Sequence, residues 1–287
     1  MDKEIHNSED YKYIPMTSIG SGVGHEVTSD VYYYTDQIAN FIFVGDPFTE
    51  NWVLIDAGLP EGAESIRTAI VERFGQKSKP KAVILTHGHF DHVGGLVDLI
   101  EDWEVPVYAH ELEFPYLTGK KSYPEPDVTV EGGMLAKISA MYPNEPINVE
   151  PFLKPLPKDG SVPEMPGWKW IHTPGHSPGH VSFFRENDSF LIAGDAFITV
   201  RQDSFYKVLM QDTEINGPPR YLTTDWDAAW ESVKKLEALH PKIAVTGHGP
   251  HMEGKELAEG LQKLVQTFDQ TAIPDYGKYV DNDDKIH

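Results

Sequence analysis

A chain of 287 residues, 40% of them hydrophobic, has room for one large domain or two small ones and suits a globular enzyme or binding protein. Its 45 acidic residues outnumber 24 basic ones, and the net charge of -21 repels phosphate backbones and anionic lipid, which argues against nucleic-acid and membrane partners. With no cysteine there is no disulfide framework, thiolate metal site or thiol nucleophile, so any metal must be held by nitrogen and oxygen.

The first thirty residues are polar and charged, with neither the basic start nor the apolar centre of a signal peptide, and no window approaches the roughly 18 apolar residues of a membrane span. A cytoplasmic location is therefore expected. The stretch "SIGSGVGHE" reads as a loop and lacks the Lys-Ser/Thr of a phosphate-binding P-loop. "NFIFVGD" and "NWVLIDAG" read as strands joined by a turn at Gly45, Asp46 and Pro47. In "EGAESIRTAIVERFG" the residues Ala63, Ile66, Ala69, Ile70 and Phe74 recur at helical spacing, and Gly75 ends the helix.

"KAVILTH" has the apolar run of a buried strand, "GGLVDLIEDW" is helical, and "VPVYAH" is another strand. Residues 111–166 differ, being rich in proline and aromatics, with one helix predicted over Gly133 to Met141. A long irregular stretch of this kind is more often functional than not, and it reads as a pocket-covering insertion in a single domain spanning 1–287.

In the second half "WKWIHT" is a strand, "HVSFFRENDSFLIAGD" a hairpin turning at Glu186 to Asp188, and "DWDAAWESVKKLEAL" an amphipathic helix capped by Asp225. "KIAVTGHG" is again a buried strand, and "GKELAEGLQKLVQTF" a closing helix.

The chemistry concentrates in "THGHFDHVGG". His87 and His89 lie two apart, so an extended segment points both to one side, while Asp91 and His92 follow where Gly94 and Gly95 allow a tight turn. One histidine in a turn is ordinarily a surface residue. Four such groups at the end of a strand as apolar as "AVIL" point instead to two neighbouring metal ions. Downstream, "HTPGHSPGH" supplies His176, "LIAGDAF" supplies Asp195 and "VTGHGP" supplies His248, each just past a predicted strand. Such a donor set suits zinc, with Mn2+ or Fe2+ compatible, and two ions about 3.5 to 4 Å apart can activate water at neutral pH and polarise a carbonyl.

With these motifs from about Asn40 to Gly249, the chain resembles the metallo-β-lactamase-fold hydrolase superfamily, in particular its glyoxalase II and lactonase branches. The resemblance implies an α+β fold, a four-layer αββα sandwich of two mixed sheets flanked by helices. It implies that His87, His89 and His176 hold one Zn2+, that Asp91, His92 and His248 hold a second, and that Asp195 bridges them. Asp91 is then also the candidate catalytic carboxylate, and Asp56 and His180 are expected just outside the ligands.

The implied activity is hydrolysis of a small ester, lactone or thioester by a metal-bridging hydroxide, with a small-molecule substrate as partner and a homodimer as one oligomeric option. Two departures stand out. Lactonases carry a tyrosine three residues after the bridging aspartate, where this chain has Ile198, leaving Tyr206 or Tyr221 to take its place. The closing helix offers only Lys255 and Lys263 where the thioesterases bind glutathione with basic residues. The pocket is expected under residues 111–150, with Phe114 and Tyr116, and under "VRQDSFYKVLMQD". Two alternatives remain: a mononuclear iron oxidoreductase resembling persulfide dioxygenases, and a metal-stabilised binding protein without turnover.

Overall fold

The computed structural model describes residues 5–7, 10–11, 18, 20–130, 139, 142–200 and 213–280. The helix predicted over Gly133 to Met141 and all but Val200 of the predicted roof "VRQDSFYKVLMQD" fall almost wholly outside them.

Among the described residues a seven-stranded sheet runs in the order β1 (Val23–Thr28), β2 (Val31–Asp36), β3 (Ala39–Gly45), β4 (Trp52–Ile55), β5 (Val83–Ile84), β6 (Val107–Ala109), β7 (Leu153–Pro155). It is antiparallel from β1 to β4 and parallel from β4 to β7. A five-stranded sheet contains β8 (Trp168–His172), β9 (Val181–Arg185), β10 (Phe190–Ile192), β13 (Ile243–Val245) and β14 (Met252–Glu253), in the order β14-β13-β10-β9-β8. A separate pair joins β11 (Ile198–Val200) and β12 (Thr213–Asn216).

The layering follows from the two-residue period of the strands. Phe41, Phe43, Trp52, Leu54 and Val83 face one way and pack with Ile66, Ile70, Leu96 and Ile100 of the helices α1 (Ala63–Phe74) and α3 (Leu96–Trp103). Their neighbours Ile42, Val44, Val53, Ile55 and Ile84 face the other way and meet Val181, Phe183, Phe190, Ile192 and Val245 of the second sheet. On the far side of that sheet Phe184, Leu191 and Ala244 pack under α5 (Trp226–Glu237) and α6 (Gly254–Thr271). The result is an αββα sandwich. Each large apolar side chain buried in it contributes about 1.5–3 kcal/mol before chain entropy is counted.

Two local expectations need correction. The stretch read as a loop contains most of β1, an exposed edge strand whose polar residues hide its pairing with β2. The proline-rich segment supplies β7, a three-residue strand at the opposite edge, where Pro155 is tolerated. The capping of α5 by Asp225, whose side chain accepts from the Ala228 N–H at 2.9 Å, is as the sequence suggests. No helix among the described residues is long and apolar enough to cross a membrane.

The strands deliver their carboxyl ends to one edge. Because β8 and β10 each run antiparallel to β9, and β10 runs parallel to β13, the loops after β8, β10 and β13 leave on the same side. Direct bonds join the sheets there: Val181 N–H donates to Thr86 O at 2.9 Å, and the Asn40 amide donates to Thr246 O at 2.9 Å and Gly249 O at 2.7 Å.

At the same edge the chain passes Gly94 so closely that an added Cβ would lie 2.0 Å from the Leu59 carbonyl carbon and 2.1 Å from Pro60 N. Both neighbours are backbone and cannot swing away. Gly94→Ala is expected to destabilise the protein by about 1–3 kcal/mol, read as a lower denaturant midpoint. An unchanged midpoint would show that the crossing has slack.

Candidate metal centre

The ladder of β5 stops where the site begins. Thr86 turns its N–H away from the sheet to Asp56 Oδ1 at 2.8 Å, and His89, with extended backbone, precedes the short helix α2 (Phe90–Val93). His87 and His89 thus project from the connection between β5 and α2, and Asp91 and His92 from the first helical turn, so four side chains meet from two directions. His176 arrives from the β8–β9 loop, Asp195 from just after β10 and His248 from just after β13. All seven are at most 4% exposed.

Three groupings bring donor atoms within 4.8 Å of one another: His87, His89 and His176; His87, His92 and Asp195; Asp91, His92 and His248. His89 Nδ1 lies 2.9 Å from His176 Nε2. Asp195 Oδ2 lies 3.1 Å from His248 Nε2 and 3.5 Å from both His92 Nε2 and His176 Nε2, so it stands between the groups. Asp91 Oδ2 is 3.3 Å from His248 Nε2. Four buried atoms at this centre have no hydrogen-bond partner: His87 Nε2, Asp91 Oδ1, His92 Nε2 and Asp195 Oδ1. Each such atom costs roughly 1–3 kcal/mol unless something accepts it. Nitrogen and carboxylate donors left bare in one buried volume are what a divalent metal ion requires.

The surrounding bonds keep these atoms bare by occupying the other end of each ring. His92 Nδ1–H donates to Asp56 Oδ2 at 2.8 Å; the Thr86 hydroxyl donates to that same oxygen at 2.7 Å and accepts from His87 Nδ1–H at 3.0 Å. One carboxylate therefore orients two imidazoles, one of them through a threonine. Asp56 does this from a left-handed backbone, φ 59°, which costs little for aspartate. His248 Nδ1–H donates to Ile38 O at 2.9 Å, and His176 Nδ1–H to the Thr223 hydroxyl at 3.1 Å. His180 faces the centre but uses both nitrogens elsewhere: Nε2 accepts from Asp195 N–H at 2.9 Å, and Nδ1–H donates to Thr173 O at 3.1 Å.

Charge divides the histidines into two kinds. Burial, with neighbouring imidazoles, pulls His87 and His176 well below the usual range, His89 to about 4 and His180 to about 3. Burial also acts on His92, but Asp195, Asp56 and Asp91 outweigh it and hold this ring well above its ordinary value. In His248 burial is likewise outweighed, by Asp195 and Asp91, and the ring is held at about 10. The same pairings, against burial, hold Asp195 well below the usual carboxylate range and Asp91 below it.

The expected pocket residues scatter. Tyr221 is buried edge-on to Tyr142, 5.6 Å between centroids, in a cluster with Phe90, Leu222, Val130, Ile38 and Leu59. Burial holds the Tyr221, Tyr142 and Tyr11 phenols above their usual range, and the charge of Asp91 reaches all three. Tyr116 stacks on Tyr123 at 3.8 Å, and the Tyr123 ring lies 4.4 Å from that of His89. Ile198 is buried in β11, and Phe114, at the start of the short helix α4 (Phe114–Leu117), packs half-buried against the core under α1 and α3. Tyr206 lies outside the described residues. Thr86, Thr223, Tyr11, Tyr142, Tyr123 and Glu113 were not singled out from sequence. Thr86 lies directly before the motif, and Glu113, Tyr123 and Tyr142 lie in the segment 111–150 expected to cover the pocket, whereas nothing local marks Tyr11 and Thr223.

The family profile described as "Metallo-beta-lactamase superfamily" matches residues 48–248, well over half of the chain. The chain is 46% identical over 254 residues to the protein named "Probable metallo-hydrolase YflN" of Bacillus subtilis (strain 168), covering 88% of this chain and 96% of that one. It is 29% identical over 117 residues to the hydroxyacylglutathione hydrolase GloC of Haemophilus influenzae, covering 40% of this chain and 49% of that one. Among solved structures it is similar to TTHA1623 in a di-iron-bound form, with a TM-score of 0.51 and 28% identity, covering 75% of this chain and 89% of that one. An αββα sandwich with buried histidines and aspartates at its strand ends, matched over this span and at this identity, places the chain in the metallo-beta-lactamase superfamily.

Proposed function

We propose that the protein is a dinuclear metal-dependent hydrolase of a small ester, lactone or thioester. His87, His89 and His176 would hold one divalent ion, Asp91, His92 and His248 the other, and Asp195 would serve both. The observation that carries this reading is the set of four buried, unpartnered donor atoms aimed into one volume. Ions held there supply Lewis acidity and lower the pKa of a water to about 7, so no serine or cysteine nucleophile is needed.

The chain's own residues divide the remaining work. Asp56 and Thr86 keep His87 and His92 in one tautomer and orientation. Asp91 would give one carboxylate oxygen to an ion, leaving the other as the candidate acceptor for the proton that an attacking water gives up. The apolar cluster of Phe90, Tyr142, Tyr221 and Leu222, which adjoins Asp91 through Phe90, would exclude water from that side. The thioester option draws support from the likeness to a hydroxyacylglutathione hydrolase, and iron as an alternative to zinc draws support from the di-iron neighbour.

Elemental analysis of the purified protein, paired with turnover of ester, lactone and thioester substrates before and after chelation, tests the reading. About two ions per chain and chelator-sensitive turnover are expected; bound metal without any turnover would mean a binding role. His87→Ala and Asp195→Ala are expected to lower turnover by at least about 100-fold while the protein stays folded, and full activity in either would sink the mechanism.

A second expectation concerns protons. Without ions at neutral pH, His248, held at about 10, and His92 carry protons, whereas His87, His89 and His176 are neutral. Ligands must be deprotonated to bind metal, so loading should release about two protons per chain. Calorimetry in buffers of different ionisation enthalpy reads this directly. A heat of binding independent of buffer would contradict it.

A further inference from the structure

We propose that Glu113 is a positioning residue that sets the spacing of the His87, His89 and His176 imidazoles by clamping together the two backbone turns that carry them. Glu113 ends a 3-10 turn (Glu111–Glu113) after β6 and has no exposed surface. Its carboxylate gives one oxygen to each turn. Oε2 accepts from the Gly88 N–H, between His87 and His89, at 3.0 Å, and from the Tyr123 hydroxyl. Oε1 accepts from the Gly179 N–H at 2.7 Å and the Ser177 hydroxyl at 2.8 Å, just past His176. One turn follows a strand of the first sheet and the other joins two strands of the second, so the clamp crosses between the halves of the molecule.

The approach is close at both contact points, and at Gly179 it involves backbone. A Cβ on Gly88 would lie 2.7 Å from the Tyr123 hydroxyl oxygen, and one on Gly179 would lie 2.7 Å from Glu113 Cγ and 2.9 Å from its backbone nitrogen. His89 and His176, whose facing nitrogens are 2.9 Å apart, sit on opposite turns of the clamp. An apolar side chain could fill the same space without the cost of a buried carboxylate, but it would leave the Gly179 N–H unpaired and the Gly88 N–H with the Tyr123 hydroxyl alone. A carboxylate offers an acceptor to each turn. Glutamine has the same shape with one acceptor and one donor, so it can hold one turn only, and its NH2 must face the other turn's N–H.

The assignment rests on the metal reading above, and cobalt(II) separates the two. Binding to the wild type, Glu113→Gln and His176→Ala is followed by visible absorption and by competition with a chelator, with thermal unfolding of the ion-free proteins alongside. Glu113→Gln is expected to weaken one cobalt ion about 10- to 100-fold and alter its absorption band, as His176→Ala does more severely, while unfolding stays cooperative. Unchanged binding overturns the assignment, as does an equal weakening of every ion with lost cooperativity, which would mark a merely structural role. A wild type that takes up one ion, weakened by Glu113→Gln, upholds Glu113 and overturns the two-ion reading; uptake of none overturns both. If Glu113→Gln does not fold, Tyr123→Phe carries the test by removing one of the two acceptors that face the Gly88 N–H; a smaller weakening of one ion is expected, and none overturns the assignment.

Discussion

Seven ionisable side chains removed from water into one volume impose the constraint on which the rest of this structure depends, since burying even one uncompensated charge costs several kcal/mol. The protein meets that cost in layers. His87, His89 and His176 are kept neutral by burial, while His92 and His248 are held charged by the aspartates they face. The far nitrogens of the rings are then tied down by Asp56, Thr86, Ile38 and Thr223, so that what remains bare points inward. This leftover set of donors is the property that a metal ion satisfies.

No single element could supply such a set. An α-helix or a strand places a few side chains on one face, whereas here the donors come from four separate strand ends in two sheets. The sandwich makes this feasible because β4 and β5 in one sheet and β8, β10 and β13 in the other all release their loops at one edge. Loops are the mobile part of a fold, so they must be pinned. Asn40 ties the β3 end to the His248 loop, Gly94 lets α2 lie against Leu59 and Pro60, and Glu113 bridges the two histidine turns. The apolar layers behind supply the stability that allows such a polar edge.

The superfamily scaffold hosts many chemistries, so the function of this chain has to be argued from its site. Next to Asp91, through Phe90, lies an aromatic wall in which Tyr142 and Tyr221 pack with Phe90 and Leu222. Tyr221 comes to this wall from far along the chain, and its phenol is held above the usual range by burial and by the charges of Tyr142, Asp91 and Asp195.

By itself the sequence determined those parts of the fold whose cause is local. Runs such as "NFIFVGD" and "HVSFFRENDSFLIAGD" announce strands, and the helical spacing of "EGAESIRTAIVERFG" announces α1, because periodic burial writes itself into neighbouring residues. The crowding of His87, His89, Asp91 and His92 was legible for the same reason. Only the tertiary structure decided the rest. The edge strands β1 and β7 are stabilised by partners rather than by composition, and Glu113 is indistinguishable in the sequence from the other acids of a chain carrying 45 of them. Its role depends on Gly88 and Gly179, 25 and 66 positions away, and a contact of that range leaves no periodic mark on the residues beside it.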